Sequence, residues 1–434
     1  MLVIWKNTLD FGNKLKMLKI YVVLTILVGG LDKNRYICKQ KYYYNINKNM
    51  SELNFNEIFA RRLQNARKMC GFSQAELASR MRVLETKCPV LYKSVSSTAI
   101  EKYEKGVMSP DNDIIITTIA RALDTNVGNL HRPFTVHIDI NNFEFRKKSK
   151  LGKKAVEKIK LKVQERIEKY VEIERICDEE PHCKVNFSDV VVECDEDARN
   201  IAVRLRNEWQ LGMGPILNPI NVLENNGVKV IEVNEDPELF DGTSTTVEGI
   251  PVVILNANDE KCSNPKHQNS SERRNLTLFH ELGHQLMNIS DDVTPKEREA
   301  LCNVFANEML IPSETFKWIF GERRSSISLF ELKDVQKEYG ISARALMYKA
   351  AQLGVISQSK YKYFCIELNV KESLRRIIDE TMMKPQHSSR FERLVYRALA
   401  TEIISISKAA ELLDESVSQI LKNYNLKVAN AYNN

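Results

Sequence analysis

The sequence predicts a multidomain protein of α and α+β parts: all-α at the N-terminus, α+β in the middle and helical at the C-terminus. Three observations predict this. At 434 residues the chain exceeds what one ordinary core organises. Residues 51–130 carry repeated start and stop signals of short helices. Residues 228–233 and 250–255 have strand composition and turn-rich flanks, and they lie among strongly helical stretches. Apolar residues make up 43% and charged residues 28%, the balance of a soluble globular chain rather than a disordered or membrane-embedded one. The net charge of +6 says little about partners by itself.

The first fifty residues read as a leader. Residues 20–30 are apolar but too few to span a bilayer as a helix, and no small-residue cleavage site follows them. Residues 39–50 are dominated by Lys, Asn and Tyr, so Met50 is the expected start and residues 1–49 are expected to be untranslated upstream sequence. From residue 51 to 135 the pattern is a string of helices. Gly71 stops the first, and Ser73 caps the second with Glu76 at the reciprocal position. A third runs from Ser97 to Gly106, and a fourth ends before Asp124 and Asn126.

Residues 136–180 read as a basic and helical linker, with apolar positions at Ile159, Val163, Ile167, Tyr170, Val171 and Ile173 that suit a connecting or a packing helix. The α+β region spans 181–325, with helices expected at 198–209, 220–224, 271–287 and 295–311 around the two strands. Residues 326–434 form a helical region without visible chemistry, although 406–413 carry a helix-turn-helix-like rhythm that reads better as a packed bundle. Nine cysteines are scattered and odd in number. They read as reduced thiols of a cytoplasmic protein.

Chemistry concentrates in His280-Glu281-Leu282-Gly283-His284. On a helix, residues four apart lie on one face about 5.4 Å apart along the axis, so two imidazoles can close on one zinc ion. Glu281 stands beside the first histidine, placed to take a proton from a water that the metal acidifies. Leu276, Phe279, Leu282 and Leu286 supply the apolar stripe that supports the helix. Gly283 costs about 1 kcal/mol of helix propensity, which implies close approach of a neighbouring backbone. A catalytic zinc needs a third protein ligand and an open position. The carboxylates just downstream are Asp291, Asp292, Glu297, Glu299 and Glu308. Thr294 and Pro295 read as N-cap and first helical residue, which gives Glu297 to capping and places Glu299 on a face with Asn303, Ala306 and Leu310. Spacing alone leaves the third ligand open.

The same motif, followed by Glu299-Ala300-Leu301-Cys302-Asn303-Val304-Phe305-Ala306 and the run to Pro312, resembles the ImmA/IrrE family of metallopeptidases. Arg206 to Gly212 with Pro215, Leu223-Glu224 before Gly227, and Phe240-Asp241-Gly242 share the resemblance, which covers about residues 190–320. It implies Glu299 as third zinc ligand and a minimal zincin-like α+β peptidase domain with an edge strand near the active-site helix. Val252, Val253 and Ile254 are the candidate residues for pairing with an extended substrate; a plain core strand is the alternative reading. The family's Arg and aromatic before the first histidine are matched only approximately by Arg273, Arg274 and Phe279, so no role is assigned to them.

Gly71 to Ala78, Ile100 to Gly106, Ser109-Pro110 and Ile119 to Leu123 resemble the Xre/Cro-type helix-turn-helix. The resemblance implies DNA contacts by Gln74, to phosphate or a base edge, and by Ser97, Thr98, Ala99 and Lys102 in the major groove. About a dozen extra residues, 83–94, fall where that family has a tight turn. They either loop outward or tilt the recognition helix. A module kept for dimerisation or protein contact is the competing reading.

Together these features predict a cytoplasmic zinc endopeptidase with a DNA-binding module for an operator of its own or a neighbouring operon, and no membrane partner. Its substrate class, a repressor or antitoxin in mobile elements or stress responses, is implied by the family resemblance. The alternatives are a transcription regulator whose zinc site senses or stabilises, and an antitoxin-like protein whose peptidase fold is an interaction surface. Glu281 discriminates between them, because a purely structural metal site needs no general base beside its ligand.

Overall fold

The computed structural model describes residues 55–134, 153–179, 183, 185, 187–235, 241–247, 249–258 and 270–432. The leader and residues 146–152 of the basic run lie outside them. What is described is a mixed, mainly helical fold with a small sheet portion.

Helices α1 (Phe55–Met69), α2 (Gln74–Lys87), α3 (Ser97–Glu104), α4 (Asp113–Ala122) and α5 (Val127–His131) close on a core of Leu63, Leu77, Met81, Ile100 and Ile119. The expected capping box is present: Ser73 accepts from the Glu76 backbone N–H, and the Glu76 carboxylate accepts from that of Ser73. The extra residues are partly absorbed as further turns of α2. The loop after α2 is tied at its base, where the Lys93 N–H donates to Thr118 Oγ1 at 2.9 Å. Helix α3 keeps Ile100 and Tyr103 in the core. Arg67 clamps Glu104 with two bonds of 2.5 and 2.8 Å.

Helix α6 (Lys153–Cys177) buries every apolar position expected of it. It is no exposed linker, however. Glu168, Lys169, Glu172 and Glu174, on its charged side, are also buried. Each has a partner far away in sequence: Arg62 to Glu168 at 2.7 Å, Lys408 to Glu172 at 2.7 Å, Lys229 to Glu174 at 2.6 Å, and Lys169 to Asp414 at 2.5 Å. Charges unpaired within a segment read as solvated; here distant residues neutralise them in the interior.

The α+β part begins with β1 (Val191–Val192), α7 (Asp195–Glu208) and α8 (Pro219–Asn225). Strands β2 (Lys229–Val233), β3 (Gly242–Val247) and β4 (Ile250–Asn256) follow. Then come α9 (Ser271–Leu286), β5 (Asn288–Ile289), which pairs with β1, and α10 (Pro295–Leu310). The three-stranded sheet has the order β2-β4-β3, with β2 parallel and β3 antiparallel to β4. Strand β4 alternates between two apolar cores: Val253 and Leu255 join α7, α9 and α10, while Val252 and Ile254 join α6. This corrects the substrate-strand expectation. Val252, Val253 and Ile254 lie in the central strand, fully buried and hydrogen-bonded on both sides, so they have no free edge to offer. Among the described residues the edge beside α9 belongs to β3.

The stretch expected as one C-terminal region divides in its packing. Helices α11 (Ser313–Phe320), α12 (Leu329–Tyr339), α13 (Ala343–Gln352), α14 (Gln358–Val370) and α15 (Glu372–Asp379) add to the core around α9 and α10. Helices α16 (Arg390–Ala400), α17 (Ile406–Leu413) and α18 (Val417–Tyr432) follow, and residues from all three join the apolar cluster of α6. Among the described residues no helix is long and apolar enough to cross a membrane.

A buried ion pair locks α13 to the end of α10. Lys349 Nζ donates to Glu308 Oε2 at 2.6 Å and to the Ile311 carbonyl at 2.6 Å, while Glu308 also takes the Ser313 N–H. Burial pushes the Lys349 ammonium down to about 8 against the pull of Glu308. Lys349→Met leaves a buried carboxylate without its counter-charge. The expected loss is about 3 kcal/mol of unfolding free energy, read from the urea midpoint.

Candidate active site

Helix α9 starts at Ser270, whose Oγ accepts from the Arg273 N–H at 3.2 Å. Its inward face, Leu278, Phe279, Leu282 and Leu286, anchors it in the largest core, and Leu276 lies at the margin. Helix α10 starts as the sequence predicts, with Thr294 as N-cap, Pro295 at its first position and Glu297 closing the capping box. That frees Glu299 for the site. The close neighbour of Gly283 is a ring, not a backbone: a Cβ there would stand 3.0 Å from Phe305 Cδ1 on α10. The two helices therefore meet where the histidines project.

Three donors converge between them. His280 Nε2 and His284 Nε2 are 3.0 Å apart, and Glu299 oxygens lie 3.5 Å from the first and 3.3 Å from the second. Tetrahedral bonds of zinc to N and O set neighbouring ligand atoms about 3.3 Å apart, so the set fits such an ion. His280 Nδ1 lies 2.9 Å from Asn303 Oδ1, and the tautomer that donates there turns the Nε2 lone pair towards the other two donors. Asn303 sits one turn after Glu299, so the helix that brings the carboxylate also orients the ring. Cys302 adds a soft donor. Its sulfur and ring nitrogens of His280 and His284 lie within 4.8 Å of one another, a group that could hold a metal ion. His280 is buried, whereas the Glu299 side chain is 40% exposed, so the site opens towards solvent on the carboxylate side.

Glu281 meets the sheet edge. Its Oε2 accepts from Ser244 Oγ of β3 at 3.0 Å. Gln285, one turn further, donates to Ser244 Oγ at 3.2 Å and accepts from Thr246 Oγ1 at 2.8 Å. Gly242 allows this contact: a Cβ there would meet Thr277 Cγ2 at 2.6 Å and the Ile254 carbonyl at 3.0 Å. Asp241, at the start of β3, pairs with Arg273 of α9 at 2.7 Å. Arg274 instead reaches Glu232 of β2 and the Gln386 carbonyl. The structure thus gives both arginines a positioning task. Arg206 is buried and ties the 212–214 loop to α10 through the carbonyls of Gly212, Gly214 and Met309.

Residues 224–351 match the family described as Peptidase_M78, IrrE N-terminal-like domain. No curated protein matches the chain. The family match supports the resemblance to ImmA/IrrE proteins and a peptidase-type function for this part of the chain. It covers β2 to α13 and so runs past residue 325, into helices that the structure packs in the same core.

The residues singled out in the N-terminal helices sit on α2 and α3, which close on a core of their own. Thr98 and Lys102 are exposed on α3, with Ser97 and Ala99 half-buried beside them. Gln74 is a strut as well as a surface group, since its Nε2 donates to Glu104 Oε2 at 2.8 Å. Sequence reasoning placed Asn303 beside Glu299 without a role, and Ser244, Gln285 and Cys302 were missed. The i, i+4 spacing of Glu299 and Asn303 was the available signal for the first. Nothing local marks the others.

Asn303→Ala removes the acceptor that fixes the His280 ring. The expected result is roughly tenfold weaker zinc affinity in competition with a chromophoric chelator, with an unchanged far-UV spectrum.

Proposed function

We propose that the chain is a zinc-dependent endopeptidase joined to a DNA-binding module, and that it cleaves a repressor or antitoxin-type regulator. The observation that carries the reading is the convergence of His280, His284 and Glu299 with Glu281 held at the edge of the sheet. Zinc held by those three ligands would supply a Lewis acid that polarises the scissile carbonyl and acidifies water. Asn303 keeps His280 in the ligating tautomer. Glu281 takes the proton of the attacking water and returns it to the leaving amine, and Ser244 fixes the carboxylate by donating to it. Strand β3 offers its outer edge to an extended substrate in place of β4. The substrate class rests on the family resemblance.

Glu281→Ala is expected to keep zinc at one equivalent, by metal analysis, while cleavage of a co-expressed target falls by at least about a hundredfold. Persistence of cleavage would overturn the mechanism. A proteome comparison between the two proteins identifies the target as the polypeptide cut only by the unsubstituted chain.

The N-terminal helices are proposed to bind an operator of the chain's own or a neighbouring operon through α3, with Lys102 contacting phosphate or guanine and Thr98 a base edge. Full-length protein should bind that duplex with a steep salt dependence. Lys102→Ala should lower the slope of log K against log salt by about one if the contact is to phosphate. Salt-independent or absent binding would favour a protein-contact role for these helices.

A further inference from the structure

A cleft of about 480 Å³ opens beside His280 and Asn303, walled on one side by α9 and on the other by residues of α12 to α15. Its lining carries three arginines and three carboxylates, but they are not equivalent. Arg273 is paired with Asp241 at 2.7 Å, and Arg344 grips Asp379 with two bonds of 2.5 and 2.8 Å. Glu272 is buried and turned into its own cage, where Oε1 accepts from Gln336 Nε2 and the Met382 N–H and Oε2 accepts from Thr381 Oγ1. Arg375 is left. Among the described residues it is the arginine of this cleft without an ion-pair contact within 4 Å; its charge acts on Glu372 of the same helix, whose exposed carboxylate bonds Arg376. It is half-buried on α15, at the other side of the cleft from the histidine helix.

We propose that this cleft is a subsite for an acidic side chain of the bound peptide, read by the Arg375 guanidinium. The inference rests on the peptidase reading for why a peptide lies there, and on the charge arrangement for what it must carry. A half-buried guanidinium keeps more of its Coulomb attraction than one in open water. Its planar fork matches a carboxylate with two parallel bonds, which a lysine cannot reproduce. A basic side chain would meet the same unpaired cation and be repelled. The specificity would therefore come from α15, outside the zinc-binding helices, with Arg375 selecting substrate and taking no part in the chemistry.

The test is binding, with cleavage read separately. Full-length, zinc-loaded Glu281→Ala protein is titrated by fluorescence anisotropy with labelled ten-residue peptides of neutral sequence. An Asp is moved through the positions, and Asn at the same position is the control. One position is expected where Asp binds roughly tenfold tighter than Asn. Arg375→Gln should erase that ratio, and Arg375→Glu should turn the preference to Lys at the same position. Equal binding of Asp and Asn peptides, an Asp preference that survives Arg375→Gln, or no binding of any peptide overturns the inference. Circular dichroism of the variants checks the fold. The same peptides offered to protein with Glu281 intact test the peptidase reading: a preserved Asp preference without cleavage sinks that reading and leaves the acidic subsite standing.

Discussion

The site depends on how closely α9 approaches α10. Two histidines on one helix are only half of a metal centre. The rest must come from a second helix held within about 3.5 Å of their nitrogens. Gly283 makes that distance available, because it lies between the two histidines and receives the Phe305 ring where a methyl group would stand at 3.0 Å. Protein interiors close to crystal density, so even one methyl inserted there pushes the ring and the helix carrying it. Glu299, Cys302 and Asn303 ride on that helix, and a shift of it moves ligand, sulfur and ring-orienting amide together. The motif's central glycine is thus a spacing element for the converging histidine and carboxylate groups, at a cost of about 1 kcal/mol in helix propensity.

On its other flank α9 is fixed by the sheet edge. The bonds from β3 are polar: Ser244 to Glu281, Thr246 to Gln285, and Asp241 to Arg273. An apolar strand could have held the helix equally well, but it would not have given the buried Glu281 carboxylate the Ser244 donor. Buried carboxylates need such donors to stay charged and oriented. The polar character of β3 therefore suits the carboxylate it faces. It also leaves the outer edge of that strand beside the donor cluster.

These arrangements were unequally legible in the sequence. Helices α9 and α10 could be read from capping residues and periodicity, and the metal-binding face from the spacing of His280 and His284. Local rules went as far as assigning Glu297 to the capping box, which left Glu299 as one of several carboxylates until the family resemblance selected it. Strand β3 was missed because Gly242-Thr243-Ser244-Thr245-Thr246-Val247 shows no apolar alternation: its partners are a polar helix face and a neighbouring strand, not a core. Strand β4 was found but misplaced. A run that is apolar on both faces marks burial, and edge or centre is decided by its neighbours. Helix α6 was legible as a connecting or packing helix from its apolar positions, but the partners of its buried charges were not, since Arg62, Lys229, Lys408 and Asp414 arrive from other parts of the chain.

Those pairings join the parts of the molecule. Glu174 of α6 pairs with Lys229 at the start of β2, and Arg390 of α16 bonds the same carboxylate, so the sheet behind the histidine helix is fixed to α6. Two turns earlier, Glu168 pairs with Arg62 and Arg132 of the N-terminal part. Lys169 holds Asp414, which also accepts from Asn129 of α5 at 2.7 Å. One helix thus carries ion pairs to the N-terminal helices, the sheet and the last helices at once. Removing one partner from a buried pair costs about 3–5 kcal/mol, far more than an exposed pair contributes. A loose tether would need none of these bonds. A rearrangement that releases the N-terminal helices must break several of them together, in the same helix that supports the sheet behind α9. The position of the N-terminal helices and the geometry of the peptidase core are therefore mechanically linked through α6.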